Sequence, residues 1–249
     1  MLKSSSGLWK CQDKVVPHLS IVVPTYNERE NVVRLAECLA DVMKDRSYEL
    51  IFVDDSTDDT PIILDKLAAS NPRVKSVRRT NQRGLGTAVV KGFEASRGHI
   101  VAVMDSDFQH PPELLPMMLN SIDSNVDIVI PSRFVPGGDD GGLNLFRKMI
   151  SGTARYMGKI LLKPLRRISD PTSGFFMFKK EVIEGVKLEP VGWKILIEVL
   201  IKGDYLHVAE IPYHFVARKA GESKMSFREQ LNYIKHIIML WKSARSCRI

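Results

Sequence analysis

Short, continuously apolar runs alternate with longer stretches of helical spacing through the first half of the chain. Residues 19–24 (LSIVVP), 48–54 (YELIFVD), 74–79, 99–104 (HIVAVM) and 127–131 (DIVIP) read as strands buried on both faces. Between the first four, and again over 110–121, apolar residues recur every three or four positions, as on the inner face of a helix. Asn27 and Glu30 predict a capping box opening the first helix, and Pro111 and Pro112 suit the first turn of another. This βαβα rhythm predicts a mostly parallel sheet with helices on both faces. In such sheets ligands lie beyond the carboxyl ends of the strands.

The unusual residues collect at those strand ends: 24–28 (PTYNE) after the first, 54–58 (DDSTD) after the second and 105–109 (DSDFQ) after the fourth. Asp105 and Asp107 are two apart, so an extended segment turns both carboxylates to one side, where a divalent cation would join them. Gln109 adds a neutral oxygen. The bland reading makes Asp107 a turn cap before Pro111, and makes Ser56, Thr57 and Asp58 caps of the next helix. The functional reading gives Asp55 a hydrogen bond from a nucleotide base or ribose. The run 84–88 (GLGTA) resembles half of a dinucleotide fingerprint, but it has Val89 in place of the third small residue and follows the third strand, which argues against a dehydrogenase.

Charge changes this picture. The net charge of +7 is concentrated in 133–167 and 218–248, each with eight Lys/Arg against two acidic residues, which leaves the rest of the chain acidic on balance. Such segregation predicts an anionic partner on one surface. Both segments carry apolar stripes at helical spacing. Phe146, Met149, Ile150, Met157, Ile160 and Leu161 form one, and Phe227, Leu231, Ile234, Ile238 and Trp241 the other. These are either core-facing helices or basic helices lying in a membrane interface, and the charge favours the second. Nucleic-acid module signatures are absent. Arg133, Arg147, Arg218 and Lys224 are candidates for phosphate recognition, the last two in a polar loop suited to closing over a ligand. No window has the ~18 apolar residues of a membrane span, and the N-terminus lacks a signal-peptide core. Cys11, Cys38 and Cys247 fit neither a disulfide framework nor a zinc site.

Taken in order, PTYNE (24–28), VDDSTDDT (53–60), GLGTA (84–88), MDSDFQHPP (104–112), SRF (132–134), DPTSGFF (170–176) and RKAGESK (218–224) resemble the dolichol-phosphate mannose synthases among the family-2 glycosyltransferases. The resemblance runs over about residues 19–230 and is closest to archaeal members around 173–203. It implies an α/β fold of GT-A (Rossmann-like) type, with a loose arm over 1–18, a catalytic domain over 19–225 including an interface helix at about 143–163, and a C-terminal amphipathic helix over 226–249. It also implies mannose transfer from GDP-mannose to dolichyl or another polyprenyl phosphate, by inverting displacement with Mg²⁺ or Mn²⁺. By the same resemblance Pro24, Tyr26, Glu28, Val53, Asp55 and Ser106 hold the donor with Arg218 and Lys224. Asp105, Asp107 and Gln109 hold the metal, Arg133 and Arg147 receive the acceptor phosphate, and Asp107, Arg133 and Arg147 are the catalytic set. Ser106 departs from the alanine of many relatives. Many archaeal members continue into transmembrane helices, so attachment here is expected through the interface helices or a separate anchor subunit, on the cytoplasmic face. The alternatives are transfer from UDP-glucose or UDP-N-acetylglucosamine, a sugar nucleotidyltransferase, which would want a glycine-rich loop after the first strand, or a non-catalytic membrane-surface module. Asp170, Glu198 and His110 carry no assigned role.

Overall fold

The computed structural model describes residues 16–80, 82–139, 156–214 and 227–246. Seven strands form one sheet among them: β1 (Leu19–Thr25), β2 (Tyr48–Asp54), β3 (Val74–Arg78), β4 (Ile100–Val103), β5 (Ile128–Ser132), β6 (Phe176–Lys179) and β7 (Val208–Pro212). Their order is β3-β2-β1-β4-β6-β5-β7. All neighbours are parallel except β6, which runs antiparallel to both β4 and β5. The helices are α1 (Val32–Val42), α2 (Thr60–Ser70), α3 (Leu85–Ala95), α4 (Leu115–Ser121), α5 (Ile195–Lys202) and α6 (Phe227–Ser246), with a further helical stretch at 156–161.

The apolar runs form strands because neither face meets water. Along β1, Ile21 and Val23 point into one core with Leu35 and Leu39 of α1 and Leu115 of α4. Val22 points into the other core, with Val89 and Phe93 of α3, Leu196 and Val199 of α5, and Tyr233 and Ile237 of α6. The sheet is therefore covered on both sides, as parallel sheets require. Gly92 lets α3 settle onto β1, since a Cβ there would stand 2.2 Å from Val22 Cγ1.

One expectation needs revision. The first helix does not open with an Asn27–Glu30 capping box: it begins at Val32, after Asn31. Asn27 instead adopts φ 57°, and its Oδ1 accepts the Thr57 N–H at 2.9 Å. Its side chain ties the loops after β1 and β2 together instead. In the C-terminal helix the buried stripe is offset from the apolar stripe read in the sequence. Tyr233, His236, Ile237 and Leu240 face inward, while Leu231, Ile234, Ile238 and Met239 face out.

A charged cluster welds α6 to α5. The Glu198 carboxylate is fully buried and accepts from Lys202 Nζ at 2.6 Å and from the Glu189 N–H at 2.7 Å, and its second oxygen lies 3.3 Å from Nε2 of the buried His236. Burial alone would raise the Glu198 pKa, but the His236, Glu189 and Lys202 contacts outweigh it and hold the group below the usual carboxylate range. A lowered acid contributes stability that is present above its unfolded pKa and lost as pH falls through the folded value. Glu198→Ala should cost about 3–5 kcal/mol in urea unfolding, because it takes the carboxylate away from the Lys202 ammonium and from the buried His236 ring. In Glu198→Gln the acid-side loss of stability should be shallower than in the wild type.

Candidate functional site at the carboxyl edge of the sheet

The loops leaving β1, β2 and β4 lie side by side at one edge of the sheet, and local hydrogen bonds join the first two. Thr25 Oγ1 and Ser56 Oγ donate to Asp54 Oδ1 at 3.0 and 2.6 Å. The Asn27 N–H donates to Ser56 Oγ at 2.7 Å and the Glu28 N–H to Thr60 Oγ1 at 3.1 Å. Asp58 Oδ1 accepts the Thr60 N–H at 3.0 Å, a turn contact just ahead of α2, whose N-cap residue is Asp59 and makes no side-chain cap. Tyr26 is exposed, with the Arg83 guanidinium 5.9 Å from its ring centroid. Pro24 and Val53 are paired across β1 and β2, and the Val53 side chain is wholly inside the core. It can therefore frame a ligand only through its backbone.

After β4 the chain turns sharply, with Phe108 at φ 60° and Asp107 Oδ1 accepting the Gln109 N–H at 3.1 Å. His110 folds back beneath this turn, where its Nδ1 accepts the Asp105 N–H at 3.1 Å and its ring stacks on Phe175 at 5.1 Å. Burial pushes the His110 pKa down, so it is a neutral acceptor that fixes the start of the turn. Gly174 leaves room beside it; a Cβ there would lie 3.3 Å from His110 Cε1 and 3.7 Å from Asp105 Oδ2. Ser106 is buried, whereas Asp105, Asp107 and Gln109 remain partly open.

Strand β6 explains how residue 170 reaches this edge. Because β6 is antiparallel, the loop entering it lies where the parallel strands leave the sheet, with Phe176 opposite Val103. The fully buried Asp170 carboxylate there accepts Arg133 Nε and Nη2 at 3.0 and 2.7 Å, and the Thr172 hydroxyl at 3.1 Å. Glu210 of β7 accepts the Ser169 and Asp170 N–H groups, which fixes the loop from behind. Lys194 completes the cluster. Its ammonium donates to Thr172 O at 2.6 Å and sits 3.5 Å from the Trp193 ring centroid. Burial pushes its pKa down to about 7; attraction to Asp170 and Asp105 opposes this, and Arg133 reinforces it. Sequence patterning gave no sign of Lys194, whose partners lie far away in the chain. Arg147, Arg218 and Lys224 lie outside the described residues.

Main-chain contact ties the Lys194 segment to the start of α3. Gly86, at the start of α3, donates its N–H to Gly192 O at 3.1 Å, and a Cβ there would stand 2.5 Å from that oxygen. The glycines of GLGTA thus serve close approach between segments, with Gly84 at φ 135°, a conformation other residues rarely adopt.

Comparison with known proteins agrees with this arrangement. The glycosyl transferase family 2 model matches residues 20–186. The chain belongs to glycosyl transferase family 2. This glycosyltransferase is 43% identical over 224 residues to the dolichol-phosphate mannosyltransferase of Pyrococcus furiosus, covering 90% of this chain and 64% of that one. It thus spans less than two thirds of that relative's length. It is 35% identical to the Saccharomyces cerevisiae dolichol-phosphate mannosyltransferase, covering 89% and 86% of the two chains. It is also 35% identical to the polyprenol monophosphomannose synthase of Mycolicibacterium smegmatis, covering 83% and 80%. Among solved structures it resembles glucosyl-3-phosphoglycerate synthase from Mycobacterium tuberculosis, bound to Mn²⁺, UDP and phosphoglyceric acid. The TM-score is 0.67 at 20% identity, over 92% of this chain and 78% of that one, a likeness of GT-A fold. No helix among the described residues is long and apolar enough to cross a membrane.

If Lys194 is held as described, ¹³C NMR of the reductively methylated protein should show one lysine titrating with a midpoint of about 7. The exposed lysines should titrate near 10.4. Lys194→Ala should remove that resonance.

Proposed function

We propose that this glycosyltransferase moves mannose from GDP-mannose onto a polyprenyl phosphate at a membrane surface. The observation that carries the reading is the meeting, at one edge of the sheet, of an acidic turn (Asp105, Asp107) and a cationic cluster (Arg133, Lys194). An anionic donor and an anionic acceptor need this pairing of opposite surroundings. At ~4 Å, two unit charges repel by about 4 kcal/mol at an effective dielectric of 20.

The acceptor phosphate is already ionised near neutral pH, so attack on the sugar carbon needs no general base. Arg133 and Lys194, with Arg147, neutralise the incoming phosphate and aim one oxygen at that carbon. Asp170 orients the Arg133 fork, so cationic charge is in place before the acceptor arrives. Displacement from the side opposite the nucleotide inverts the configuration.

Among the described residues no three His, Cys, Asp or Glu side chains converge on one point. The oxygen set of Asp105, Asp107 and Gln109, all partly open, with donor diphosphate oxygens, still fits a hard divalent cation. Mg²⁺ or Mn²⁺ held there would neutralise the departing diphosphate. Pro24, Tyr26, Glu28, Val53, Asp55 and Ser106 frame the nucleotide, and Arg218 and Lys224 close over it. The outward stripe of Leu231, Ile234 and Ile238, beside the exposed Lys235 and Lys242, suits a peripheral, cytoplasmic-face contact with an anionic bilayer. A separate anchor subunit would strengthen that contact.

The test offers the protein polyprenyl phosphate in detergent with labelled GDP-mannose, UDP-glucose or UDP-N-acetylglucosamine, with and without EDTA. Label should enter the lipid phase from GDP-mannose, and EDTA or Asp107→Asn should lower the rate at least a hundredfold. Transfer from a UDP-sugar instead would overturn the donor. Undiminished transfer in EDTA would overturn the metal.

A further inference from the structure

The Asp55 carboxylate is locked in place by one arginine. Arg79, the residue after β3, donates from Nε to Asp55 Oδ1 at 2.7 Å and from Nη2 to Oδ2. The same guanidinium donates to Gly84 O at 3.0 Å and from Nη1 to Thr87 Oγ1 at 2.9 Å. The Gly84 N–H returns to Asp55 Oδ2 at 3.3 Å, and the Thr87 hydroxyl donates to Gly84 O at 2.9 Å. Both main chains are fixed as well: the Asp55 N–H donates to Thr25 O at 3.0 Å and the Arg79 N–H to Asp54 O at 2.9 Å. The two side chains are only 6% and 8% exposed. Surface ion pairs contribute little; this fork is enclosed, two-pronged and backed by the start of α3.

We infer that Arg79 is a positioning residue for the nucleoside end of the donor, which sets the Asp55 carboxylate in one orientation as a hydrogen-bond acceptor for base or ribose. The inference rests on the reading above that Asp55 meets the nucleoside. A carboxylate left to rotate would lose side-chain freedom on every binding event; one already fixed does not, and the difference appears as affinity. Arg79 does this at a distance from the transferred sugar, so its effect belongs in donor binding and not in the displacement itself. The ion pair also carries the constraint onward, because the backbone it grips at Gly84 opens the helix that touches Gly192.

Titration calorimetry with GDP and with UDP, each with Mg²⁺, separates the possibilities. Asp55→Asn should weaken the preferred nucleotide about tenfold. Arg79→Lys, which keeps the charge and loses the fork, should do the same. It should also raise donor KM about tenfold and leave kcat within about twofold at saturating donor. Thr87→Val, which removes one guanidinium contact and the hydroxyl bond to Gly84 O but leaves the ion pair intact, should weaken the nucleotide about two- to threefold. If Asp55→Asn weakens binding but Arg79→Lys and Thr87→Val do not, Arg79 is only a brace of the fold and the inference fails. A fall in kcat with unchanged KM would also overturn it. If Arg79→Lys does not fold, the decision passes to Thr87→Val, whose unchanged affinity would be the refutation. If Asp55→Asn binds as the wild type does, the Asp55 reading itself is wrong, and binding of neither nucleotide by the wild type would sink the proposed function and this inference together.

Discussion

A carboxylate with no access to water must have its charge met inside the protein, and much of the cleft is organised around meeting it for Asp170. Arg133 arrives from the end of β5, the Thr172 hydroxyl from the same loop, and Glu210 secures the loop's amides from β7. Arg133 and Glu210 come from two strands other than the one this loop enters, so the pairing is complete only once β5, β6 and β7 lie side by side. The antiparallel β6 makes this possible by delivering the 170–174 loop to the edge where the parallel strands end. A βαβ unit alone would have left that loop at the opposite edge.

The parallel part of the sheet was legible in the sequence because its strands are buried on both faces and therefore nearly unbroken in apolar character. The run 175–178 (FFMF) is equally apolar, yet it follows no helix-spaced stretch and so fell outside the alternating rhythm. Strand β7 is a half-buried edge with Glu210 in its middle, and its weak pattern reflects that exposure. Of the site, the acidic turn and Arg133 stood out because their chemistry is local. Lys194 and Arg79 did not, because a lysine before a helix or an arginine after a strand is ordinary until a partner 22 or 24 residues away folds beside it.

The C-terminal helix shows a different limit. A twenty-residue helix with apolar residues on two sides admits more than one inward stripe, and periodicity alone does not choose between them. The inward side is the one carrying Tyr233, Ile237 and Leu240, which pack into the core, and His236, which faces the buried Glu198 at 3.3 Å. Leu231, Ile234, Ile238 and Met239 are left facing outward.

The contact between Gly86 and Gly192 bears on how such a fold can be recombined. Backbone meets backbone there, with the rigid Pro190 ring packed alongside, so neither segment can be replaced without matching the path of the other. A chimera that exchanges the region from β2 to α3 would have to carry residues 190–192 with it. The two segments, although far apart in the chain, form one heritable module.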